Sequence, residues 1–182
     1  MKILSGTHGC RPIAQPPGST TRPLSEKVRA AIFDIVGHPT GLVVLDAYAG
    51  SGAAGFEALS RGAMLVEAIE SHPRVARTID ANAATLDLTT NHILHTVPVE
   101  TWLAAPAQNP PTARYGLIIA DPPYAKLEPD IIAKLISFLT PDGILVLSHT
   151  SRQPSPELAN ASLIKSKTYG DTALSFYAPA KT

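Results

Sequence analysis

A chain of 182 residues has room for one domain of ordinary size, and 45% hydrophobic residues exclude intrinsic disorder. A single cysteine, Cys10, excludes a disulfide framework and a thiolate zinc site, and the six histidines show no paired spacing that suggests a metal. Fifteen basic and fifteen acidic residues cancel, which argues against a polyanionic partner until their distribution is read: through Ala30 stand five basic residues, Lys2, Arg11, Arg22, Lys27 and Arg29, against Glu26 alone.

Residues 1–23, broken by Pro12, Pro16, Pro17 and Pro23, are expected to form a basic hairpin or extended arm ahead of an acidic body, 24–182, within one domain. Val28, Ile32 and Ile35 then fall on one helical face, with Ser25 placed to cap the helix and Gly37 to stop it. From residue 42, strands and helices alternate. Apolar runs at Leu42 to Leu45, Leu65 to Ile69, Ile93 to Val97, Leu117 to Ala120 and Ile144 to Leu147 are separated by helical patterns at Ala53 to Arg61, Pro73 to Leu86 and Pro129 to Leu139. Near-continuous apolar strands between helices indicate a parallel sheet covered on both faces. Two further runs, Leu163 to Lys167 and Ala173 to Tyr177, flank Gly170-Asp171 and should close the sheet as an antiparallel hairpin. No apolar run approaches the ~18 residues needed to cross a bilayer, and no signal-peptide stretch follows Met1, so a cytoplasmic protein is expected.

Between the first strand and the next helix, Gly50, Gly52 and Gly55 spell G-x-G-x-x-G, and Glu70 closes the following strand. Both features suit a Rossmann-like nucleotide site, in which the acid holds ribose hydroxyls. Asp46 narrows the choice. A carboxylate at the strand end would repel a pyrophosphate, whereas S-adenosylmethionine brings a sulfonium and an ammonium to that position. Glu67 is the weaker competitor for the ribose, because alternation sends it to one face with Ile69 while Glu70 stands at the carboxyl end.

After the fourth strand comes Asp121-Pro122-Pro123-Tyr124. An exocyclic amine on a base is a poor nucleophile until it pyramidalises. The Asp121 side chain and the Pro122 carbonyl can accept its two hydrogens, the prolines stiffen that carbonyl's aim, and Tyr124 can stack on the base.

The tetrapeptide is similar to the catalytic motif of methyltransferases acting on adenine N6 or guanine N2. Taken with Thr21 to Arg29 and Asp46 to Arg61, it makes the chain resemble the RsmD family of 16S ribosomal RNA guanine-N2 methyltransferases, a likeness that thins after about Thr150. The resemblance implies a class I methyltransferase fold of seven strands with the last inserted antiparallel. It also implies S-adenosylmethionine as donor, and as acceptor a guanine of 16S RNA in the small ribosomal subunit or an assembly intermediate. The expected catalytic residues are Asp121, Pro122 and Tyr124. The expected cofactor set is Asp46, Tyr48, Gly50, Ser51, Gly52, Glu70, Ser71 and Val99, and phosphate contacts are expected from Lys2, Arg11, Arg22, Lys27 and Arg29. Neither a metal nor a membrane is expected to take part, and the expected state is a monomer. Two positions depart from the family pattern: Leu24 stands where a Thr is expected, and Pro98 stands where a polar residue would meet the adenine amine. Adenine would then rely on backbone groups near Pro98 and Val99.

Competing readings separate on size and charge. A DNA adenine-N6 methyltransferase would normally carry a target-recognition domain, which a 23-residue arm does not supply. An NAD-dependent oxidoreductase is opposed by Asp46, and a non-catalytic RNA-binding module has no use for Asp121 beside two prolines.

Overall fold

The computed structural model describes residues 1–17, 24–105, 115–123 and 127–180; Arg22 and Tyr124 lie outside them. Helix α1, Glu26–Val36, begins where the Ser25 hydroxyl accepts the Val28 amide at 3.2 Å and ends at Gly37, whose φ of 82° suits glycine. Strand β1 (Val43–Asp46), helix α2 (Ala53–Ser60), β2 (Leu65–Ile69), α3 (Pro73–Thr85) and β3 (His92–His95) follow. Next come α4 (Val99–Ala104), β4 (Tyr115–Ala120), α5 (Pro129–Ile136), β5 (Leu139–Thr150), β6 (Ala161–Tyr169) and β7 (Thr172–Pro179).

The seven strands run in the order β3-β2-β1-β4-β5-β7-β6. The first five pair in parallel, and β7 enters antiparallel between β5 and β6, as the α/β methyltransferase reading expects. Side chains alternate across the sheet. Val44, Val66, Leu117 and Val146 meet α1, α2 and α3 on one face. Leu45, Ile118, Leu145 and Tyr177 meet α4 and α5 on the other, around Trp102, Ile132 and Leu135.

Helix α4 is absent from the expected elements. It is six residues long, begins directly after Pro98 and buries only Val99 and Trp102, too few positions to establish a helical period. The helix expected to reach Leu139 stops at Ile136, because Phe138 already offers its carbonyl to the Tyr115 amide and the chain turns into β5.

The arm is a closed hairpin laid on the core. Ile3 and Ile13 are buried, and the Ile3 amide meets the Arg11 carbonyl at 3.0 Å while the Ile13 amide meets that of Met1 at 2.9 Å. Beneath it the Glu57 carboxylate, fully buried in α2, accepts the amides of Leu4 at 2.7 Å and Ser5 at 3.1 Å. Asn82 of α3 clasps both polar groups of the Ala14 backbone, at 2.8 and 3.0 Å.

This packing corrects two of the expected phosphate contacts. Arg29 is 0% exposed, with Nε 3.6 Å from the Glu57 carboxylate and its guanidinium also donating to the Lys2 carbonyl. Arg11 donates to the Leu86 carbonyl at 3.4 Å and to that of Thr85, covering the last carbonyls of α3. A count of charges cannot tell a solvated arginine from one that satisfies buried acceptors. Lys2 and Lys27 remain exposed.

Candidate active site

Strand β1 sends its connection to β2 on one side, while β4 pairs with it on the other, so the sheet order reverses between them. Open α/β sheets form a crevice at the carboxyl end of such a switch point. Asp46 closes β1 there, 3% exposed, and its Oδ2 accepts the Gly55 amide at 3.0 Å. Glu70 follows β2 and staples the loop from the other side: Oε2 accepts the Gly50 amide at 3.0 Å and Oε1 accepts the His72 amide at 2.7 Å. Each carboxylate oxygen retains a second lone pair for a ligand hydroxyl or cation.

The loop depends on its glycines for two different reasons. Gly52 has φ 76°, and a Cβ there would lie 2.7 Å from the Phe56 ring. At Gly55 the limit is packing, since a Cβ would stand 2.9 Å from Val66 and 3.3 Å from Asp46. Helix α2 therefore lies directly on the sheet, and all eight of its residues are buried.

Asp121 follows β4. The β4 and β5 strands pair Ile119 with Val146 and Ala120 with Leu147, so Asp121 stands beside Ser148, and the two side chains are hydrogen-bonded. Ser148 is 2% exposed and was missed by sequence reasoning. Its only signal is a hydroxyl in an otherwise apolar strand, which acquires meaning once the register is known.

Three carboxylates thus end adjacent strands. Burial, reinforced by the neighbouring Asp121 and Glu70 charges and opposed by the Gly55 amide, pushes Asp46 up to about 7. Burial raises Asp121 to about 6 against the Ser148 bond. Such a crevice is short of positive charge and fits a cationic ligand, whereas a pyrophosphate would add to the repulsion. Among the described residues no His, Cys, Asp and Glu cluster is arranged to hold a metal ion.

The other expected cofactor residues are spread around this point. Ser51 is 7% exposed and donates to the Met1 sulfur at 3.6 Å, linking the glycine loop to the hairpin. Tyr48 is half-buried, and burial together with Glu100 and Glu128 pushes its hydroxyl up to about 12, which keeps it neutral. Ser71 is exposed. Val99 is buried at the start of α4, next to exposed Pro98. Pro122 is buried beside Asp121 and Pro123 is exposed.

Residues 1–178 match the family model described as conserved hypothetical protein 95. The Bacillus subtilis protein YlbH is 31% identical over 182 residues, aligning 97% of this chain with 98% of its own. Ribosomal RNA small subunit methyltransferase D of Haemophilus influenzae is 27% identical, over 97% of this chain and 93% of its own. Among solved structures the Escherichia coli protein yhhF superposes with a TM-score of 0.86 at 27% identity, covering 100% of this chain and 99% of that one. A match that runs from the hairpin through β7 leaves no major element of the chain outside the likeness, and the protein belongs to the RsmD family of ribosomal RNA methyltransferases, the family described as conserved hypothetical protein 95.

Proposed function

We propose that the protein acts as one catalytic domain that methylates the exocyclic N2 amine of a guanine in 16S ribosomal RNA, with S-adenosylmethionine as donor. The observation that carries this reading is the set of carboxylates Asp46, Glu70 and Asp121 at the ends of β1, β2 and β4, with Asp121 opening the Asp-Pro-Pro-Tyr motif. The curated relatives named ribosomal RNA small subunit methyltransferase D support the choice of acceptor.

When bound, S-adenosylmethionine supplies an electrophilic methyl group. The protein's own task is to hold the donor and prepare the nitrogen. Asp46 and Glu70 offer carboxylates to the ligand's cationic and hydroxyl groups while keeping the glycine loop closed. Asp121, oriented by Ser148, accepts one amine hydrogen, and the Pro122 carbonyl accepts the other, which moves the nitrogen lone pair out of conjugation. As the amine gains positive charge, the ionised Asp121 stabilises it more than it stabilised the ground state, and the methylated nitrogen then sheds one proton to solvent to leave the neutral N2-methyl amine. Tyr124, outside the described residues, supplies the stacking ring.

The direct test is labelled methyl transfer to small subunits, naked 16S RNA and duplex DNA, followed by nucleoside analysis. N2-methylguanosine in RNA is expected. N6-methyladenosine, or label in DNA alone, would overturn the acceptor.

Removing Glu70 tests the donor site separately. Glu70→Ala deletes both loop staples and the ribose partner. Loss of one charge-assisted hydrogen bond costs roughly 1.5–3 kcal/mol, so calorimetric titration should show S-adenosylmethionine affinity about 10- to 150-fold weaker. Unaltered affinity in a folded variant would remove Glu70 from the site.

The raised carboxyls also set a pH dependence. Their native values lie above the unfolded 3.8, so in the free protein they favour folding at low pH and lose that contribution as pH rises through about 6 and 7. A cationic donor favours the ionised forms. Its affinity should therefore climb by ~10-fold or more from pH 5.5 to 8, with protons released on binding near pH 6 to 7. Calorimetry in buffers of different ionisation enthalpy measures that release; zero release across this window would contradict the assignment.

A further inference from the structure

Three carboxylates at the mouth of the site would repel an approaching nucleic acid strand unless nearby cations offset them. Arg29 is buried and Arg11 is engaged with the end of α3, which leaves Lys2 and Lys27 of the basic segment exposed, and α3 provides two further cations. Arg74 and Arg77 are exposed on its first turns, three positions apart, so they are surface neighbours with Cβ atoms about 5–6 Å apart. Neither has an ion-pair partner among the described residues. Asp80, the one acid on α3, acts electrostatically on His92 of β3 and forms no ion pair with either arginine.

The two arginines line an open groove of about 460 Å³ with Thr78 of α3 and with Ala14, Gln15 and Pro17 of the arm. The groove adjoins the site through the backbone. Glu70 holds the His72 amide, the cap of α3, so Arg74 stands within a turn of the crevice.

We propose that this groove binds the phosphodiester backbone of the acceptor RNA beside the target nucleotide, with Arg74 and Arg77 each meeting a phosphate and Gln15 adding a neutral hydrogen-bonding group. This deepens the reading given under Proposed function and rests on it. The unpaired cations specify an anionic occupant. Two of them side by side on one helix suit a ligand whose negative charge repeats, and a helix that opens directly after Glu70 lets that ligand continue toward the crevice. The hairpin then acts as one wall of the RNA path, through Gln15 and Pro17, while its own arginines hold the wall in place.

The test is the double variant Arg74→Glu/Arg77→Glu, with Arg74→Gln/Arg77→Gln as a milder version in case charge reversal impairs folding. Three quantities are read: S-adenosylmethionine affinity, affinity for naked 16S RNA as a function of salt, and kcat/KM on small subunits. The donor affinity should stay within about twofold. RNA affinity at low salt should fall at least ~10-fold, and the slope of log K against log salt should flatten by about 1.4, the loss of two contacts at roughly 0.7 each on single-stranded RNA. Lys134→Glu, on α5 at the opposite face of the sheet, should change neither. If the wild type labels small subunits and the double variant keeps both RNA affinity and slope, the groove assignment is overturned while the proposed reaction stands. Weakened binding to subunits with unchanged binding to naked RNA would assign the groove to a protein surface and equally overturn it. A wild type that neither binds naked RNA nor labels small subunits overturns both readings together.

Discussion

Asp121→Ala should slow single-turnover methyl transfer to saturating small subunits by roughly 10²–10³, comparable to losing one preorganised transition-state hydrogen bond, while S-adenosylmethionine affinity changes only a few fold. The asymmetry follows from geometry. Asp46 and Glu70 hold the glycine loop through the Gly55, Gly50 and His72 amides, and Asp121 takes no part in those bonds. Its partner is Ser148 on the far side of β4. Removing it therefore leaves the loop standing and removes an acceptor whose value grows only as the amine becomes cationic. The loss of a neighbouring negative charge should also lower the Asp46 pKa, because Asp121 is one of the groups that raise it. A wild-type-like rate for Asp121→Ala would end the mechanism proposed here.

Glu57→Ala should be the most destabilising single change. The carboxylate is wholly buried and serves four groups: the Leu4 and Ser5 amides, Arg61 Nε at 2.7 Å and Arg29 Nε at 3.6 Å. Without it Arg29, itself 0% exposed, is left as an uncompensated charge in the core. Breaking a buried pair in this way costs about 3–5 kcal/mol. For a chain of this length each kcal/mol lowers the melting temperature by about 2–4 °C, giving a fall on the order of 6–20 °C in a thermal denaturation scan. Glu57→Gln separates charge from shape: its one oxygen can accept only one of the two amides, which donate to different carboxylate oxygens, so it should still lose much of the stability. The pair Arg29→Met with Glu57→Leu should recover a good part of it by removing both charges. A Glu57→Ala melting point within a few degrees of wild type would show that Ile3, Ile13 and the Asn82 clasp hold the hairpin without the carboxylate.

Much of the candidate site is legible in the sequence alone. The apolar runs identified the strands of the parallel core, because a strand covered on both faces needs apolar residues at successive positions, and the order of strands and helices implied a parallel sheet; β6, exposed along its length, was located by its hairpin turn at Gly170. Gly50, Gly52 and Gly55 marked the loop, and Asp46, Glu70 and Asp121 marked the strand ends, since these features depend on residues close together in the chain. Strand limits were less readable. β3 runs from His92 rather than Ile93 and β5 extends from Leu139 to Thr150, because pairing with a neighbour decides where a strand stops, and that neighbour is remote in sequence.

What the sequence by itself determined was the order of elements, the loop and the chemical types at the ends of the strands, all carried by local spacing and periodicity. The tertiary structure alone decided which charges remain available. Arg29 is matched by Glu57, 28 positions away, and Arg11 by carbonyls at 85 and 86, so two of the five basic residues that composition suggested for phosphate serve the hairpin's own packing, while Lys2 and Lys27 stay exposed. Ser148 reaches Asp121 only through the β4–β5 register. Arg74 and Arg77, which no motif singles out, become prominent because folding gives Arg11, Arg29 and Arg61 partners and leaves these two exposed and unpaired on the helix that opens after Glu70. A buried charge must be paired and an exposed one need not be, and only the folded chain determines which condition each residue meets.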